Sequence, residues 1–383
     1  MVNTNLHIYP SNIKHETRML KETKSLADFG LFDRIFLVGI LWEKDLKEHE
    51  SLDNIRGIWR VPLKTKFLPK NRFWKLFKYT EWMLRIFIRF KKERISFVNC
   101  HSLTVLPLGV LFKIFTKSKV IYDTHELETE TCGMSGIRKK LSKVLERSLI
   151  RHVDSTLVVS DSIATWYKNK YNLRNVHVIR NVPYKPKREV KESNILKEKF
   201  NIRDDEVLFI YQGMLGKGRG IEIMLNVFSK VDKKKHIVFM GYGLLEDLVK
   251  KYQSKFSNIH FCPAVKPEEV LRYTRSADVG IHIPEKICLS YFYSLPNKFF
   301  EYIFAGLPVI VSDFPDMGEI IDEYRCGWKI PVNEKSILDL IESISKEEIK
   351  GKRRNVLRCR DNFSWEREEE KLIRIYHDLS GRR

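Results

Sequence analysis

The chain is 383 residues long and carries 69 Lys and Arg against 49 Asp and Glu, a formal net charge of +20. Apolar residues make up 43% and aromatic residues 12%, which excludes a disordered chain and supplies cores for two domains of ordinary size. So basic a surface calls for an anionic counterpart: nucleic acid, lipid headgroups or phosphorylated small molecules. No stretch reaches the roughly eighteen apolar residues of a spanning helix. The opening MVNTNLHIYPSNIKHETR lacks the apolar region of a secretory signal, so a cytoplasmic protein is expected. The six cysteines fall at no metal-ligand spacing, and reduced thiols are the simplest expectation.

In chain order, LHIY reads as a short strand and ETRMLKETKSLADFG as a helix closing at Gly30. FDRIFLVGI, ISFVNCHS, KVIYDTHE, DSTLVVSD and VHVIRNVP read as further strands. Helical patterns separate several of them: LTVLPLGVLFKIF, GIRKKLSKVLERSLIRHV and SIATWYKNKYN. Residues 183–204 are polar and rich in Pro and Lys, the composition of a linker. A second alternation follows, with strands EVLFIYQG, KHIVFMGYG, IHFCPA, VGIHIP and PVIVSD and helices between them. The expectation is α/β: two doubly wound parallel sheets, with ligands beyond the carboxyl ends of the strands and a cleft between the domains.

Two segments of the second half point to phosphate chemistry. YQGMLGKGRG, residues 211–220, follows a strand and precedes a helix, and its glycines, Gly213 and Gly218 among them, let backbone approach a ligand closely. Arg219 can clamp two phosphate oxygens, although a glycine-rich surface turn fits the same letters. In SLPNKFFEY, Ser294 is expected to cap a helix begun by Pro296, so that amides near Ser294 and Leu295 and the Lys298 ammonium meet a diphosphate. Glu301 shares the face of Lys298 and can accept two hydroxyl hydrogens of a sugar; a surface ion pair is the bland alternative.

In the first half, His15, His101, Ser102, His125 and Glu126 stand at strand ends or loops where an acceptor can be held. His125 can orient a hydroxyl, or only brace a turn; Ser102 can cap the next helix and do nothing more. A metal at Asp123, His125, Glu126, Glu128 and Glu130 has no recognised ligand spacing. Residues 70–94 hold nine Lys and Arg and two Glu among Phe and Trp. That composition suits a helix in a membrane interface, a helix docked on the sheet, or nucleic-acid binding, which no recognition module elsewhere supports.

These segments resemble bacterial retaining glycosyltransferases of the GT-B fold, family 4, of the surface-polysaccharide type. HETRMLKETKSLADFGLFDRIFLVG resembles the family's opening, NCHSLTVLPLG its His-Asp-x-x-x-Leu-Pro stretch with Ser102 at the acid, and VIYDTHELETE its Tyr-Asp-Ser-His-Glu stretch. YQGMLGKGRG resembles the donor-phosphate loop, with Met214 where Arg is common. SLPNKFFEYIFAGLPVIVSD resembles the donor block, with Glu301 as the second carboxylate of Glu-x7-Glu and Tyr293 in place of the first.

The resemblance implies an acceptor-binding domain over 1–182, a linker over 183–204, a nucleotide-sugar domain over 205–359 and a terminal helix over 360–383 crossing back to the first domain. It implies retaining transfer from a UDP or GDP sugar to a lipid-linked or polysaccharide acceptor, with Arg219, Lys298 and His125 as catalytic groups. No metal and no cofactor beyond the donor is expected. The setting implied is peripheral, on the inner face of the cell membrane, against anionic lipid and without nucleic acid. The rivals are an epimerase or inverting transferase of the same fold, and a catalytically weak nucleotide-sugar-binding protein at the membrane.

Overall fold

A computed structural model of the chain describes residues 3–14, 16–69, 71–185 and 193–381. The chain divides into two compact units, Met1–Ile179 with Glu369–Arg383, and Arg180–Glu368. Each is a Rossmann-like α/β unit, as the alternation of strand and helix patterns predicts.

The sheet of the first unit is built from β1 (Thr4–Ile8), β2 (Arg34–Ile40), β3 (His49–Ser51), β4 (Arg56–Val61), β5 (Ile95–Cys100), β6 (Lys119–Asp123), β7 (Ser155–Val158) and β8 (Val176–Val178). Their order is β3-β4-β2-β1-β5-β6-β7-β8, parallel except for the β3–β4 pair. That antiparallel hairpin was not read from the sequence, because HES is short, polar and exposed. Strand order reverses between β1 and β5, which makes their carboxyl ends the topological switch point, where ligands of such sheets bind.

The second sheet holds β9 (Val207–Met214), β10 (Lys235–Tyr242), β11 (Ile259–Pro263), β12 (Val279–His282), β13 (Val309–Ser312) and β14 (Gly327–Ile330). It is wholly parallel, in the order β11-β10-β9-β12-β13-β14, and its switch point lies between β9 and β12. The first six residues of β9, VLFIYQ, are all buried, which is why the strand opens as a nearly unbroken apolar run instead of alternating. Part of the expected linker is folded: Ile195–Lys199 is a helical turn with Leu196 fully buried.

The basic aromatic segment forms a helix over Arg72–Phe90, capped by Asn71, whose side chain accepts from the Trp74 amide at 3.1 Å. One face docks. Trp82, Ile86 and Phe90 are fully buried, each contributing roughly 1.5–3 kcal/mol, and Trp82 Nε1 donates to the Gly39 carbonyl at 2.9 Å. The other face presents Phe73, Leu76, Phe77, Leu84 and Ile88 to solvent. The last helix, Trp365–Ser380, starts in the second unit and from Glu369 belongs to the first, where the Tyr376 ring packs on Phe32 and Phe97.

Candidate active site

In the second unit, a cavity of about 470 Å³ opens beside the carboxyl ends of β9 and β10, lined by Gln212, Gly213, Tyr242, Asn297, Lys298 and Glu301 among others. Gly213 has φ +111°, and a Cβ there would lie 3.0 Å from Lys298 Nζ, so glycine leaves the amine its place. Gly218 and Gly220 also have positive φ, and the Gly218 carbonyl accepts from the Glu285 amide at 2.9 Å.

Lys298 Nζ donates to the Tyr211 hydroxyl at 3.1 Å and lies 4.2 Å from the centre of its ring. Burial and the nearby Arg219 charge push its pKa down to about 7, against the pull of Glu301. Arg219 itself rests 5.4 Å from the Tyr291 ring centre. Glu301 is oriented from behind: Gln212 Nε2 donates to its Oε2 at 2.5 Å, and Thr274 Oγ1 donates to Gln212 Oε1 at 2.6 Å. The Gln212 amide donates to the Tyr302 hydroxyl at 2.9 Å, tying β9 to the helix Asn297–Phe304.

The expected cap at Ser294 is corrected by the geometry. Ser294 spends both its Oγ and its amide on the Tyr291 carbonyl, at 2.7 and 3.2 Å, because it ends the preceding short helix. The N-cap is Pro296, which has no N–H, and Leu295 is buried just before it. The helix-start amides therefore belong to Asn297 and Lys298, whose acceptors would lie outside the helix. Met214 is half exposed, with its carbonyl accepting from the Tyr211 hydroxyl at 2.8 Å, and Tyr293 closes the short helix Leu289–Phe292.

In the first unit the strand-end polar residues converge at the switch point. Asp123, at the end of β6, is fully buried and receives Arg18 NH2 at 2.6 Å and Arg18 Nε at 3.0 Å. His101 Nδ1 lies 2.9 Å from Asp123 Oδ2 and 3.2 Å from His125 Nε2. Burial opposes charge on Asp123, but Arg18 and the two histidines outweigh it and hold the carboxyl well below the usual range. Glu22 is shifted the other way, well above the carboxylate range, by burial and by the Asp123 charge, although Arg18 Nε lies 3.0 Å from its Oε1.

His101 is fully buried with both ring nitrogens engaged, which removes it from direct contact with an acceptor. Ser102 is buried too; it precedes the turn Leu103–Val105 but makes no capping hydrogen bond. His125 keeps partial exposure beside the Tyr9 ring, and Glu126 is exposed. Burial and the charges of Glu126 and Glu146 push the Glu128 carboxyl up to about 8. His15 lies outside the described residues. Among the described residues, two groups have ligand atoms within 4.8 Å of one another, His7 with Glu22 and His101, and His101 with Asp123 and His125. A cation at the second group would have to displace the Asp123–His101 and His101–His125 contacts.

Sequence reasoning missed Asn5, His7, Arg18 and Glu22 in the first unit and Gln212 and Thr274 in the second. One signal was available: in TNLHI, Asn5 and His7 are polar residues two apart on one face of a fully buried strand.

Residues 192–358 match the family model described as Glycosyl transferases group 1, and residues 36–182 match Glycosyltransferase Family 4. Chitobiosyldiphosphodolichol beta-mannosyltransferase of Kluyveromyces lactis is 22% identical over 93% of this chain and 86% of its own. Among solved structures, sucrose-phosphate synthase of Thermosynechococcus elongatus superposes with a TM-score of 0.79 at 13% identity, covering 99% of both chains. The Anabaena protein HepE, solved with UDP and glucose, gives 0.74 at 11% identity, covering 99% of this chain and 100% of its own.

Proposed function

We propose, for a chain that is a sugar-transferring enzyme of the GT-B fold, that the donor is a nucleoside-diphosphate sugar held by the second unit and the acceptor a lipid-linked glycan held by the first. The observation that carries this reading is the cavity wall where Lys298 and the first amides of Asn297–Phe304 stand beside Glu301. A diphosphate entering there meets a helix start and a depressed ammonium, and draws that amine into its charged form. Arg219 and Lys298 stabilise the charge that grows on the departing nucleotide, and Glu301, oriented by Gln212, accepts from ribose hydroxyls. HepE, of the same fold, was solved with UDP, which supports a uridine donor. His125 orients the transferred sugar, and the reaction retains anomeric configuration.

A second reading, inversion, is favoured by the Kluyveromyces relative, a beta-mannosyltransferase. Glu128, with its carboxyl near 8, is then the group on the first unit able to take the acceptor proton. Release of nucleoside diphosphate across UDP and GDP sugars, with NMR of the product anomer, tests both. Release that never depends on an acceptor would sink the transferase reading.

The relative's name specifies a diphosphodolichol-linked acceptor, which supports a membrane setting. The exposed face of Arg72–Phe90 supplies the means, and it is extended by Ile114 and Phe115 on the neighbouring helix Leu106–Thr116 and by Ile137, Leu141 and Val144 on Gly136–Ile150. The one acid of Gly136–Ile150, Glu146, is buried among Tyr122, Tyr167 and Tyr171, so that helix shows solvent only basic, polar and apolar side chains. Such a face suits anionic headgroups around a shallow apolar insertion. No helix among the described residues is long and apolar enough to cross a membrane. Flotation with anionic vesicles should fall severalfold for Leu84→Ser with Ile88→Ser; unchanged flotation would discard this surface.

A further inference from the structure

Tyr211, the fifth residue of β9, has its ring in the apolar core of the second unit and its hydroxyl within hydrogen-bond reach of the Lys298 amine. A buried phenol needs an acceptor for its proton. Here the acceptor is the Met214 carbonyl at 2.8 Å, and a carbonyl only accepts, so the sense of that bond is fixed. What the phenol oxygen offers to Lys298 Nζ, 3.1 Å away, is therefore lone pair alone. The amine also lies over the ring, 4.2 Å from its centre, where the aromatic face is negative. A Cβ at Gly213 would stand 3.0 Å from the same nitrogen, so the amine fits closely against the β9 backbone.

An ammonium uses both contacts in full, since it only donates and is drawn to the ring. A neutral amine gains less from either. Tyr211 thus favours the charged form of a group that burial, first, and the Arg219 charge push toward neutrality, with Glu301 pulling the other way. The other groups around the amine are silent near neutral pH. His282, buried at the end of β12, is held neutral by burial and by the Lys298 and Arg219 charges. The phenols of Tyr211 and Tyr302 are pushed up by burial. Arg219 carries its charge throughout.

We propose that Tyr211 is a positioning residue for Lys298: its hydroxyl oxygen and ring hold the amine at the cavity wall in the charged form that a diphosphate calls for. This rests on the reading that Lys298 meets the donor phosphates. The donor then meets a cation already charged and aimed, and the Tyr211–Met214 bond ties that cation to the loop that carries Arg219.

The first readout needs no turnover. In the full chain labelled with 13C at lysine Cε, the resonance that titrates near pH 7 and is lost in Lys298→Met belongs to Lys298. At pH 6 it should carry the upfield ring-current shift of a group over an aromatic face. Tyr211→Phe keeps the ring and removes the oxygen, and water can reach the freed carbonyl because Met214 is half exposed. In that variant the midpoint should fall by about one pH unit, a roughly tenfold loss of proton affinity. A midpoint within about 0.3 unit of the parent's overturns the proposal. So does a Lys298 signal without a ring-current shift in the unsubstituted protein, a result that decides even if Tyr211→Phe does not fold. The second readout is donor kcat/KM, which in Tyr211→Phe should stay within about twofold of the parent at pH 6 and fall about tenfold at pH 8, because the charged form persists only below the midpoint. An equal loss at both pH values would mean a merely structural role and also overturns the proposal. If the unsubstituted protein turns over no sugar donor, the functional reading fails, and the hold of Tyr211 on Lys298 still stands or falls on the spectra.

Discussion

The polar centres of the two units solve opposite problems. In the second unit Lys298 and Glu301 line an open cavity, and the cation is held where its charge is poorly solvated. In the first, Arg18, Asp123, His101 and Glu22 are sealed: the Arg18 and Asp123 charges answer each other, and burial biases His101 and Glu22 toward their neutral forms. An open site can keep a cation that Glu301 only partly offsets, because an incoming anion completes the neutralisation; a sealed site cannot. On the proposed reading, the anionic part of the donor falls to the second unit.

The largest effect expected is on the sealed side. Asp123→Asn removes the anion that Arg18 meets at 2.6 Å and leaves it only the Glu22 carboxyl, which costs roughly 3–5 kcal/mol and lowers Tm by about 10 °C. A melting curve within a degree or two of the parent protein would show that the Arg18–Asp123 pair is not what holds β6 to the helix Thr17–Asp28.

Lys298→Met should do the reverse, lowering transfer about a hundredfold while Tm stays level or rises, since a poorly solvated amine is replaced by an apolar chain. The same amine sets a pH dependence. Its folded pKa of about 7 is below the ordinary lysine value, so the charged form is fully present only below 7. Donor kcat/KM should fall as pH rises through 7, and this limb should vanish in Lys298→Met. Saturating donor should move the limb upward in kcat, because a bound phosphate stabilises the ammonium.

The smallest effect sharpens the comparison. Glu22 is raised in the folded state by burial and by Asp123, so its contribution to stability is full below the unfolded carboxyl pKa and is lost as pH rises toward the folded one. Glu22→Gln keeps a neutral isostere. Its Tm should exceed the parent's by about 2–4 °C at pH 8, with the gap closing toward pH 4. A gap independent of pH would mean that Glu22 is ionised in the fold.

Much of this was legible in the letters. Alternating strand and helix patterns gave both sheets apart from β3, β4 and β14, and the spacing of Lys298 and Glu301 put them on one helix face, where the fold has them. The helix start was misread at Ser294 because a serine before a proline looks like a cap, while its real partner, the Tyr291 carbonyl, belongs to a short helix with no periodic signal. The segment 70–94 fitted both a docked helix and an exposed one. It is both, on opposite faces, and composition averages over faces.

What the sequence determined alone was local: which stretches pair into parallel strands, where glycines let backbone approach a ligand, and which cations follow strand ends. Those follow from periodicity and backbone sterics, which act over a few residues. Tertiary structure decided which polar groups share an environment. Asn5, Asn99 and Tyr376 are 94 and 277 residues apart along the chain, yet form one hydrogen-bonded line. Lys298 has a lowered pKa only because Arg219 and buried walls stand around it. Charge and hydrogen bonding act through space, and no spacing in the chain records the dielectric around a group.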